Sequence, residues 1–449
     1  MNYGGKGQVR ISMTAGWRQD VQETTDRGIP VEALGPVSLG VRLNSSLHPS
    51  AYSSIVYMKG AIVLEALARY FAGEKEFLRA VRGVVDRTRG ECITTERFLE
   101  ELGREAVLDL GPFAERFIYG TGIPDVYYTY AIRAGAPGEW FVEGTAVKTA
   151  LPGRRFAVKR LDDGRFDVAR SPVPAMDLAT FPLVVPTQVA VIRPSEPPPK
   201  AGAKTALERA NALVEGRLVL DRPETRFVLR FEEEPTGFWI DLRREAFLSS
   251  FAEASYPKKA TFFRAVEARV RGDASAEALF LRAVEAPPDD PDDRPRRPEE
   301  RDAERQESRI VDVLASAALA HLAMDRGDLE AAKRWVDRAE TSDAFLIRMA
   351  GKDLTLVRAR FELLQGDAAG AWARLERKIF APVRLVRTAM AADAPLGIDW
   401  ERTEGPLQDP EAYALGAIAA RASGRQEEYA RVLKLAKRFG VDVAALEAN

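Results

Sequence analysis

Histidine is nearly absent from this sequence: 449 residues contain only His48 and His321. A hydrolytic metal centre takes about three protein ligands, usually His with a Glu or Asp, plus an open position for water. Neither histidine has a second His, or a ligand-like Glu, at helical i, i+3 or i+4 spacing. Pro49 follows His48 and biases it to extended or turn backbone. His321 lies in the helix-like run from Ala317 to Met324, where it reads as a packing residue. The sequence therefore supplies no metal ligands that can be named, and metal residues are expected to be none.

Cysteine is just as scarce. Cys92 alone excludes an internal disulfide and a Cys-rich metal cluster; beside Ile93, Thr94 and Thr95 it reads as a small residue entering a helix cap, with no chemical role. No apolar run approaches the roughly 20 residues needed to cross a bilayer, and Met1 to Gly7 has no apolar core of a signal peptide. The chain as written is expected in the cytoplasm, the leader of any longer parent being outside it. Charge of one sign is lacking too: 65 basic against 67 acidic residues give a formal net charge of -2. Nothing electrostatic therefore recommends nucleic acid or anionic lipid as a partner. Gly4-Gly5-Lys6-Gly7 is too short for a phosphate-binding loop, and two unconnected histidines assemble no Ser/His/Asp arrangement.

What is present is ample core material, 46% hydrophobic residues, in a length that fits about three domains of roughly 150 residues. The pattern predicts an α+β multidomain chain. Residues 1–44 form an irregular segment, with short apolar pieces such as Val37 to Val41. Residues 45–125 are helical. From Val56 to Phe71 apolar side chains cover most of the circumference, with only Lys59, Glu65 and Arg69 charged, which predicts a largely buried helix; Gly73 supplies a stop. Thr94 reads as an N-cap whose oxygen meets amides no carbonyl can reach, and Glu96 suits the positive end of the helix dipole.

Residues 126–260 switch to short alternating runs. Tyr127 to Ile132, Trp140 to Val142, Arg155 to Val158, Phe166 to Val168, Pro182 to Ile192, Leu218 to Leu220, Arg226 to Phe231 and Phe238 to Leu242 read as strands of one small antiparallel β-sandwich. Asp162-Asp163-Gly164 is a hairpin signal within it, and Pro194 to Lys204 a loop inserted in it. A helical connector follows at 261–286. Residues 287–309, dense in proline and charge, read as a solvated linker; their Asp pairs lack the glycine and terminal Glu of a calcium loop.

Residues 310–449 read as tetratricopeptide-like helical repeats. A run of small residues, a Gly-Asp turn and a second helix start at Leu319 to Ala332 recur 39 residues on, from Gly327 to Gly366, with a degenerate third copy at Ala419 to Tyr429. Such repeats stack to a continuous core and a concave face. That face reads either as a peptide- or protein-binding groove or as a cap over the preceding domains.

Several short motifs stand in a fixed order: Ile55-Val56-Tyr57-Met58-Lys59-Gly60-Ala61, Gly73-Glu74-Lys75-Glu76-Phe77, Ile93-Thr94-Thr95-Glu96-Arg97-Phe98-Leu99, Pro112 to Phe117, and Gly120-Thr121-Gly122-Ile123-Pro124. In this order they resemble the aminopeptidase N family of gluzincin zinc metallopeptidases over its helical end, and Phe238 to Leu242 resembles the closing strand of the sandwich that follows. The resemblance departs at Phe117, where a Trp is commoner, and at Leu242, where a Pro usually stands. It implies that Tyr57 donates a hydrogen bond to the oxyanion formed during peptide hydrolysis. The family's H-E-x-x-H helix is not in these residues, so the resemblance implies zinc only in a full-length or complemented form, with no cofactor held by this chain.

Whether this chain is itself an enzyme stays open: it reads as the C-terminal portion of such a peptidase, inactive alone, as one half of a split enzyme whose partner carries the zinc half, or as a non-catalytic scaffold binding peptide or protein through its repeats. Without the metal half, Tyr57 reads as a half-buried aromatic, Lys59 as a solvated charge at a helix start, and Gly60 as a site of close helix packing.

Overall fold

Thr94 is in extended backbone and its hydroxyl accepts from the Arg97 amide at 3.2 Å. This cap opens one helix of a mixed α+β chain seen in a computed structural model. The structure describes residues 17, 20–21, 31–45, 51–71, 74–121, 123–149, 153–173, 182–199, 202–203, 205–242, 246, 248–289, 298–340, 351–380, 410–438 and 440–448. His48 and Gly73 lie outside them.

Two 3₁₀ segments, Val31–Leu34 and Val37–Ser45, precede a π-helical turn, Ser53–Lys59, that runs directly into α1 (Gly60–Ala68). Then come α2 (Glu74–Arg87), α3 (Thr95–Ala106) and α4 (Gly111–Phe117). Strands follow: β1 (Asp125–Ala134), β2 (Trp140–Thr149), β3 (Gly153–Arg160), β4 (Phe166–Val173), β5 (Leu183–Ile192), β6 (Ala212–Leu220), β7 (Glu224–Phe231), β8 (Glu234–Ile240) and β9 (Ser249–Ala252). The helices after them are α5 (Pro257–Val270), α6 (Ala276–Glu285), α7 (Pro298–Asp325), α8 (Leu329–Glu340), α9 (Gly351–Gln365), α10 (Ala368–Leu375), α11 (Pro410–Ala422), α12 (Gln426–Arg438) and α13 (Ala444–Glu447). Among the described residues no helix is long and apolar enough to cross a membrane.

The strands form three sheets, ordered β7-β2-β1-β9, β6-β5-β8 and β3-β4. The first two share one core. Val126, Tyr128, Val142 and Phe227 from one meet Val185, Val189, Phe238 and Ile240 from the other, and Ile62, Leu67, Phe113 and Phe117 of the N-terminal helices join them. Phe238, fully buried, stands 5.0 Å from the Phe227 ring and 5.6 Å from that of Tyr128; burying such a ring contributes about 1.5–3 kcal/mol. Gly144 is required beneath it, because a Cβ there would come 2.1 Å from the Thr129 carbonyl oxygen and 2.5 Å from the Phe227 ring. Tyr70 donates to the Pro182 carbonyl at 2.8 Å and Arg217 to that of Phe71 at 2.8 Å, fixing α1 to the three-stranded sheet. Strand alternation turns Tyr127 of β1 to the opposite face, where it packs with Phe251, Tyr256, Phe263 and Phe280 under α5 and α6.

Three expectations change. The strands are not all antiparallel, since β9 runs parallel to β1. The charged stretch is not all solvated linker, since α7 starts inside it at Pro298; proline is preorganised for a first helical position. Upstream, Asp289 is buried and its carboxylate accepts from the Lys258 amide at 2.8 Å and the Lys259 amide at 3.1 Å, capping α5 from another segment. Finally, β3 and β4 belong to neither of the first two sheets. Phe156, Val158 and Val168 join a core with Leu356, Ala359 and Leu363 of α9 and Ala412, Leu415 and Ala419 of α11.

Helical hairpins α7–α8, α9–α10 and α11–α12 make the C-terminal region. Gly327, Gly366 and Gly424 adopt φ of +77°, +90° and +73° at their turns, a conformation glycine reaches without steric cost. Asp328 and Asp367 then cap the second helix of the first two hairpins, accepting from the Ala331 amide at 2.9 Å and the Gly370 amide at 2.8 Å.

Candidate functional site

Tyr57 lies in the π-helical turn and is 63% exposed, so it is not the half-buried aromatic of the sequence reading. Such turns recur at functional positions because the extra residue re-aims side chains. Tyr52 stands edge-on to it, ring centroids 5.5 Å apart at 87°. A hydrogen bond with Tyr57 holds the Tyr52 phenol above its ordinary pKa.

Two residues on, Lys59 points inward and is fully buried, with Nζ 2.7 Å from a Glu32 carboxylate oxygen and donating to the Gly120 carbonyl at 3.2 Å. Burial pushes the Lys59 ammonium below its ordinary pKa, opposed by Glu32. Arg116 on α4 donates to the Thr121 carbonyl at 2.9 Å; its partial burial lowers its pKa against the fields of Glu32 and Asp125. Lys59 thus ties the Tyr-x-Lys-Gly segment to Gly120, the first residue of the Gly120-to-Pro124 motif. The expectation of a solvated Lys59 is wrong, and the signal lay in the sequence: a lysine inside a helix apolar almost all round has no polar face to occupy. Gly60 is also corrected, since a Cβ there would meet no atom within 4 Å.

Among the described residues, those placed beside Tyr57 do not fit a zinc ion: Tyr52 offers a phenol, and Glu32 is committed to the inward-turned Lys59. Among the described residues no group of three or more His, Cys, Asp and Glu gathers as metal ligands. His321 is buried on α7 with Nδ1 3.5 Å from the Arg360 guanidinium, a cationic neighbour. Cys92 is exposed just before the Thr94 cap.

The face that α9 and α11 turn to β3 and β4 is occupied from within the chain. Arg360 of α9, fully buried, donates to Asp167 of β4 at 2.8 and 2.7 Å and to Asp325 at 2.7 Å. Arg170 of β4 pairs with Glu411 of α11 through Nε at 2.8 Å. The Val158 amide donates to the Asp442 carbonyl at 2.7 Å, and the Asp442 amide to that of Phe156 at 3.0 Å. Sequence alternation gives such strands but not their partners, so this docking had no local signal.

No protein-family model matches the chain, and no curated protein matches it. A solved structure, that of Legionella pneumophila aminopeptidase A in complex with aspartic acid, is similar at 16% identity with a TM-score of 0.30, over 82% of this chain and 43% of that one. The chain thus spans less than half the length of that neighbour.

Proposed function

We propose that this chain is the C-terminal portion of an aminopeptidase-like zinc metallopeptidase, with hydrolysis completed by a parent protein or by a second chain carrying the metal-binding half. The observation that carries the reading is the placement of Tyr57: its phenol is open on a helix-opening turn that the buried Lys59 anchors to Glu32 and Gly120. A phenol so held can donate to charge developing on a scissile carbonyl oxygen, and one such donor contributes about 2.7–4 kcal/mol. The order of the motifs along the helical end supports the same reading. Because the described neighbours of Tyr57 do not fit the metal, this hydrogen bond is the whole of the role assigned to the residue.

The 39-residue recurrence supports a tetratricopeptide-like reading of the tail. The scaffold alternative needs a free repeat face, and β3–β4 already lies on α9 and α11, which favours the capping role.

Hydrolysis of an aminoacyl reporter by the chain together with its complementing half tests the proposal. Tyr57→Phe should lower kcat by about 10²–10³ with KM retained; an unchanged kcat removes the role. The substitution is exposed and should alter stability by no more than about 0.5 kcal/mol, so unfolding cannot imitate the loss. One zinc per chain with unaided turnover would overturn the need for a second half.

A further inference from the structure

We propose that the groove between α3 and α4 docks a cationic, amphipathic segment of a partner protein. The groove encloses about 630 Å³, with Leu99, Leu110 and Ala114 as its floor. Its lip is Val107 and Leu108, 91% and 37% exposed.

Its charge is one-sided. Among the described residues, Glu96, Glu100, Asp109 and Glu115 line it against a single cation, Arg104. That guanidinium is already engaged by Glu100 at 3.1 Å and Glu101 at 2.8 Å. Glu96 accepts from the Tyr119 hydroxyl at 2.6 Å, and this bond holds its carboxyl below the usual carboxylate range. Asp109 accepts from the Gly111 amide at 2.9 Å, which fixes its carboxylate beside the lip. An incoming segment therefore meets anchored negative charge around an apolar edge. Lysine or arginine on one side and aliphatic side chains on the other match both features, whereas an acidic or wholly polar segment matches neither.

Val107 strengthens the case for a use of the lip. It ends α3 at φ +54°, a left-handed position that is strained for a β-branched residue and that glycine usually fills. Solvent gives no return for an aliphatic side chain held there; a partner's apolar face does.

Fluorescence anisotropy with a labelled peptide of Lys, Leu and Ala in amphipathic order provides the test, against a Lys/Ala peptide of equal charge and a peptide with Glu in place of Lys. The first should bind at least about tenfold more tightly than either control. Glu96→Gln with Glu115→Gln should weaken it at least about tenfold, while Glu224→Gln with Glu232→Gln, the same charge change on other exposed residues, should leave it unaltered. Val107→Gly should weaken binding while keeping or raising the melting temperature. Equal affinity for the Lys/Ala peptide, or equal effects of the two paired substitutions, overturns the proposal.

Discussion

Arg360 on α9 and Asp167 on β4 grip each other through two parallel hydrogen bonds although 193 residues separate them. The guanidinium has no solvent exposure and the carboxylate side chain 3%. Burial of two charges is favourable only when both are matched and their remaining donors are satisfied, and Asp325 supplies a further partner at 2.7 Å.

Asp167→Asn should therefore destabilise the hairpin-to-tail contact by about 3–5 kcal/mol, by removing the buried one of the two carboxylates that match the Arg360 guanidinium. Burial alone would raise the Asp167 carboxyl, but hydrogen bonds and charge from Arg360 bring it below its ordinary value. A depressed carboxyl contributes stability that is present above its unfolded pKa, about 3.9, and lost as pH falls through the lower folded value. Urea midpoints followed from pH 7 to pH 2 should show this acid loss in the parent chain and a smaller one in the variant; parallel curves would contradict it.

Lys59 and Glu32 should behave as a unit. Lys59→Met leaves a buried carboxylate and Glu32→Leu a buried ammonium, so each alone should cost about 3–5 kcal/mol, while the double substitution should cost much less than their sum. Thermal unfolding of the four chains measures the coupling. Additive losses would mean that the pair is not the anchor of the Tyr57 turn.

Asp289 offers a smaller and cleaner test. Its carboxylate caps two amides at the start of α5, so Asp289→Ala should cost about 0.5–2 kcal/mol. Amide exchange at Lys258 and Lys259 should accelerate before the rest of α5, and unaltered protection there would remove the cap from the account.

The Thr94 cap, the Gly-Asp turns and the strand runs were legible because each is written in a few adjacent residues. Thr94 and Glu96 are a helix start whatever surrounds them, and Gly327 and Gly366 mark turns by backbone freedom alone. The direction of Lys59 was half-legible: its apolar surroundings indicated burial, but its partner Glu32 lies 27 residues away. The helix from Pro298 was hidden by composition, since a Glu- and Arg-rich run suits a helix as well as a linker. The placement of β3 and β4 was not legible at all. Alternation fixes which side chains share a face, and the distant charges of Arg360 and Glu411 decide which surface that face meets.

The excursion of β3–β4 away from the sandwich has a practical consequence for dissecting the molecule. A protease cut between α6 and α7 would sever the backbone without parting the halves, because the hairpin leaves one half after Thr149 and stays embedded in the other. Expressing residues 310–449 by themselves would strip that surface bare, exposing the greasy seat of Phe156, Val158 and Val168 and stranding Arg360 beside it, so such a fragment should come out of cells as aggregate unless the hairpin is supplied in trans.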